Sequence, residues 1–105
     1  MRSLLVNDGG GSLLYIVAYD LRNEKREHHK SSAQIVAKIE ELGTSRTRIQ
    51  GSVWLIATQK LNAAQIFTHL KPALDSDDRV FISRVTKDYS RWMTHVEADW
   101  VRKNL

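Results

Sequence analysis

The sequence predicts one α/β (α+β) domain of order βαββαβ, with four antiparallel strands, two helices on one face and a C-terminal helical tail. Three observations predict it. β-forming runs stand at 13–19, at 46–58 with a break near Gln50-Gly51, and at 79–85. Two stretches with apolar residues at helical spacing separate those runs, and cap or turn residues fall at the boundaries.

The first strand is Leu13-Leu14-Tyr15-Ile16-Val17-Ala18-Tyr19. A run so continuously apolar suits a central strand covered on one face or both. It stops at a carboxylate, Asp20. Leu21 to Lys30 follows as a polar connection rich in Arg and Lys. Ser31 or Ser32 can cap a helix, Ser31 with Gln34 fits a capping box, and Ile35, Ile39 and Leu42 fall at i, i+4, i+7 of the helix so opened. Gly43 is placed to end that helix.

Arg46 to Gln50 alternates basic and neutral side chains, which gives the second strand one positive face. Gly51 permits a bend or bulge before the apolar third strand, Ser52 to Thr58. Asn62 with Gln65 forms a second capping box, followed by Ala63, Ile66, Phe67, Leu70 and Leu74 at helical spacing. Pro72 is expected to loosen the last turn of this helix. Asp75-Ser76-Asp77-Asp78 reads as a turn. The last strand, Arg79 to Val85, puts Val80, Ile82 and Arg84 on one face and Phe81, Ser83 and Val85 on the other.

This order is the split βαβ, or ferredoxin-like, arrangement. Residues 1–12, with Gly9-Gly10-Gly11, read as a flexible leader, 13–88 as the domain, and 89–105 as a helical extension. In the extension Trp92, Val96 and Trp100 fall at i, i+4, i+8. Such a stripe is expected to pack on the open face of the sheet or on a second protomer.

The chain has 105 residues, 42% hydrophobic and 27% charged, an ordinary globular balance large enough for one modest core. It has no cysteine, which excludes disulfides and thiolate metal sites. No apolar run approaches the ~20 residues of a membrane span, and no secretory signal is visible, so the expected location is the cytoplasm. The net charge of +4 draws the chain toward polyanions such as RNA or DNA. Arg22, Lys25, Arg26, Lys30, Arg46 and Arg48 are the candidates for a phosphate-holding patch. The plain alternative for them is a solubilising surface. His28-His29 sits in a polar stretch and reads as solvated, and His69 and His95 have no partner at metal-ligand spacing. Gly9-Gly10-Gly11 precedes a strand, so it is not a phosphate loop.

Tyr15-Ile16-Val17-Ala18-Tyr19-Asp20, the basic stretch Arg22 to Arg26, and Gln50-Gly51-Ser52-Val53-Trp54 resemble the small CRISPR-associated adaptation protein family over roughly residues 13–88. The VapD-like ribonucleases share the pattern. The resemblance implies a homodimer in which the aspartate ending the first strand, here Asp20, faces its twin and holds Mg²⁺ or Mn²⁺. It also matches Ser52 to the serine opening a later strand, and Arg22 or Arg26 to a basic loop. The long tryptophan-bearing tail departs from the family, which closes with a short strand crossing to the partner.

Asp20 then has two readings. It ends a strand and starts a turn, as Asp often does, or it is a hard oxygen ligand for a metal that activates water on a phosphodiester. One carboxylate per chain is too few, so the second reading requires a two-fold axis. Three functions follow as expectations: a nucleic-acid-binding homodimer with metal-dependent endonuclease activity on RNA or DNA, a non-enzymatic scaffold using its basic face and its Trp92/Trp100 tail, or a small-ligand sensor dimer.

Overall fold

The computed structural model describes residues 12–22 and 28–105. The expected leader (but for Ser12) and the positions of Lys25 and Arg26 lie outside them. In chain order the elements are β1 (Leu13–Asp20), α1 (His28–Glu41), β2 (Ser45–Gln50), β3 (Val53–Thr58), α2 (Ala63–Leu70), β4 (Arg79–Val85) and α3 (His95–Asn104). The four described strands form one sheet in the order β2-β3-β1-β4, and all three pairings are antiparallel. This is the ferredoxin-like topology, with β1 central as its apolar run predicts.

Alternation divides the sheet into two faces. Tyr15, Val17 and Tyr19 of β1 join Trp54 and Ile56 of β3 beneath Ile35 and Ile39 of α1 and Ile66 and Leu70 of α2. The opposite face carries Leu14, Leu55 and Ala57, and Val101 of α3 packs there. The tail therefore covers part of the open face, one of the two places expected for it.

Local chemistry explains most element ends. Asn62 and Gln65 exchange both capping-box bonds, each 2.8 Å, and α2 stops at Leu70, where Pro72 converts the chain to a 3₁₀ turn over Lys71–Ala73. Gly43 sits at φ 65°, the left-handed conformation that favours glycine, and its N–H donates to the Glu40 carbonyl at 3.1 Å. The β2–β3 register shifts between Arg48 and Gln50, so the bulge lies just before Gly51.

Two expectations need correction. The first helix starts at His28, three residues before Ser31, so neither Ser31 nor Ser32 caps it and His28-His29 is helical rather than loop. A polar first turn carries no apolar period to announce it. The tail helix starts at His95, well inside the expected 89–105 extension, because Thr94 and Glu97 form a capping box there. Trp92 consequently lies outside the helix, and the stripe Trp92-Val96-Trp100 does not exist as one packed face. Trp92 is 101% and Val96 79% exposed. Trp100 does pack against the open-face cluster, and its Nε1–H donates to Ser45 Oγ at 3.1 Å. The buried stripe of α3 is Ala98 and Val101. No helix among the described residues is long and apolar enough to cross a membrane.

Candidate functional site

The site is built from the end of β1. The ladder carries β1 to Asp20, which stands opposite Arg79 of β4. On the other side the Tyr19 N–H donates to the Ser52 carbonyl at 3.0 Å, so Ser52 extends the β1–β3 pairing one bond beyond β3. Asp20 shares the parity of Leu14 and Ile16, the face away from α1 and α2. Its side chain is 62% exposed. With Tyr19, Leu21, Ser32, Gln50, Gly51 and Ser52 it lines an open cleft of about 420 Å³.

Asp20 has a neighbouring cation. Arg22 Nη1 lies 3.5 Å from Asp20 Oδ2, and both side chains are mostly exposed. Such a surface pair contributes roughly 0–1 kcal/mol, so another cation displaces Arg22 easily. Arg22 is held from behind. Its backbone N–H donates to Asp78 Oδ1 at 2.8 Å, while Asp78 Oδ2 accepts the Asp75 N–H at 2.8 Å. The acidic turn before β4 thus holds the backbone two residues beyond Asp20. Sequence reasoning treated Asp78 as an ordinary turn residue. An Asp accepting from its own turn was legible there, but its second partner is 56 positions away.

The other candidate residues separate. Arg46 and Arg48 share the parity of Ile56 and Trp54, the helix-covered side of the sheet. Arg48 Nε–H donates to the Gly51 carbonyl at 3.0 Å, and its guanidinium lies 5.2 Å from the Trp54 ring centroid. That contact keeps Arg48 beside the rim of the Asp20 cleft, which Gly51 lines. Arg46 stands lower on the strand, opposite Ile56, where it donates to the Thr44 carbonyl at 3.1 Å and lies 4.0 Å from Glu40. Lys30 falls in the first turn of α1. Tyr19 and Trp54 are buried, and the Trp54 Nε1–H donates to the Tyr19 hydroxyl at 3.3 Å.

The family model for CRISPR associated protein Cas2 matches residues 13–93. The chain belongs to the Cas2 family. The match takes in all four strands, Asp20, Ser52 and the extended segment after β4, and it stops at Met93, just before the Thr94 cap of α3. It runs five residues beyond the stretch over which the sequence motifs suggested the resemblance. Membership supports a nucleic-acid-related role in CRISPR function.

The donor set was weighed against the divalent metal that the resemblance implies. A carboxylate oxygen is a hard ligand of the right type, and its exposure leaves it reachable. Among the described residues no group of three or more His, Cys, Asp or Glu side chains is close enough to hold an ion. Within one protomer, Asp20 therefore matches Mg²⁺ or Mn²⁺ in ligand type but not in ligand number.

Proposed function

We propose that this Cas2-family protein acts as a nucleic-acid-binding homodimer in which two Asp20 side chains, one from each copy, form a site for Mg²⁺ or Mn²⁺ and support phosphodiester cleavage. The observation that carries the reading is the position of Asp20. It is an exposed carboxylate at the end of the central strand, on the sheet face that α1 and α2 leave open, and its ion pair to Arg22 is a weak surface one. A two-fold axis over that face would set Asp20 against its twin. When bound, the metal would supply Lewis-acid stabilisation of phosphate charge and a more acidic water. Arg22 would be released from Asp20 to meet a phosphate oxygen, and Arg48 at the cleft rim would add positive potential without reading sequence. Ser52 would hold the floor of the cleft through its carbonyl bond to Tyr19.

A second reading has its own support. The tail helix lies over part of the same open face, and each protomer brings one carboxylate. Both suit a scaffold that holds nucleic acid without cutting it. Asp20→Asn separates the two, since it removes a charge and leaves the volume. Cleavage of RNA or DNA with Mg²⁺ or Mn²⁺ by the parent, reduced at least about a hundredfold in the variant, is the expected result. Cleavage by Asp20→Asn at the parent's rate would end the enzymatic reading. Binding that persists without cleavage in the parent would establish the scaffold.

A further inference from the structure

The segment between β4 and α3 carries a feature that the Asp20 cleft does not use. Met93 packs into the open-face apolar cluster. Trp92, its neighbour in the chain, is fully exposed. Tyr89 is also exposed, at 40%. Beside them in the chain stand Lys87 and Arg91, both exposed, with Asp88 the one carboxylate between Thr86 and Met93. The nearby acids of α3 are engaged. Glu97 accepts the Thr94 N–H in the cap, and Asp99 pairs with Arg102 at 2.7 Å.

We infer that Trp92 is a stacking platform for an unpaired nucleobase, with Arg91 and Lys87 holding the adjoining phosphates. The inference rests on the nucleic-acid reading above and extends it to single strands or frayed ends. Two considerations carry it. An indole with a free face flanked by cations matches the alternation of base and phosphate along a single strand. A duplex keeps its base faces inside the stack, so an indole of this kind selects bases already unpaired.

Trp92 makes no core contact, so Trp92→Ala and Trp92→Phe should fold as the parent does. Binding is measured in low salt to oligo-dT, to oligo-U and to a hairpin duplex. Trp92→Ala should bind the single strands about tenfold more weakly while changing duplex affinity less than about twofold, and Trp92→Phe should recover most of the loss. Quenching of indole emission by oligo-dT should likewise disappear in Trp92→Ala. Equal single-strand affinity in Trp92→Ala and parent overturns the inference and leaves the nucleic-acid reading standing. Equal weakening on both substrates also overturns it. A shift from dimer to monomer in sedimentation would assign Trp92 to an interface between copies instead. Absence of any binding by the parent overturns this inference and the proposed nucleic-acid function together.

Discussion

The two faces of the sheet differ in how they are covered. One is sealed by α1 and α2, with Val17, Ile35, Ile39, Ile56 and Ile66 at zero exposure. The other is shared. At one end α3 lies over Leu14, Leu55 and Ala57. Toward Asp20 the cover gives out, and Phe81 stands 68% exposed beside Ala18. Stability resides on the sealed face. The bare end of the shared face places an apolar side chain near Asp20. In the homodimer proposed above, the tail helix would limit where the second copy sits, because it occupies the opposite end.

Substitutions graded along this comparison should give graded costs. Ile39→Ala empties a site sealed between α1 and the sheet, and should cost about 3 kcal/mol in urea unfolding. A loss below about 1 kcal/mol would mean that the helix-covered face is not the main core. Val101→Ala removes two methyl groups from the α3 contact and should cost about 1.5 kcal/mol. A cost near zero would show that α3 leaves the sheet in solution. Phe81→Thr keeps strand propensity on the bare end and should change protomer stability by less than about 0.5 kcal/mol. If the two-fold axis runs over this face, the same substitution should weaken dimerisation in sedimentation. An unchanged dimer would move the interface elsewhere and weaken the paired Asp20 reading.

Much of this molecule was legible in short-range pattern. The apolar run ending at Asp20, the Asn62-Gln65 cap, the glycine at 43 and the Pro72 loosening are all encoded within a few residues, and each appears as expected. The family, too, was visible in Tyr19-Asp20 and Gln50 to Trp54. Signals failed where two local rules competed. Ser31-Gln34 looked like a cap, yet the helix gains another turn upstream. Trp92, Val96 and Trp100 looked like one stripe, yet Thr94-Glu97 starts the helix between the first and the second of them. A periodicity count cannot see that the phase is reset by a cap.

By itself, then, the sequence determined the order of elements, the central place of β1 and the position of Asp20 at its end, because periods of 2 and 3.6 and local caps act within a few residues. Tertiary structure alone decided the surroundings of Asp20. Strand register sent Arg46 and Arg48 to the helix-covered side. The chain's return brought Asp78 against the Arg22 backbone from 56 positions away. Docking of α3 buried Trp100's side of the tail and left Trp92 outside. Such pairings depend on how distant segments meet in space, and no local pattern carries that information.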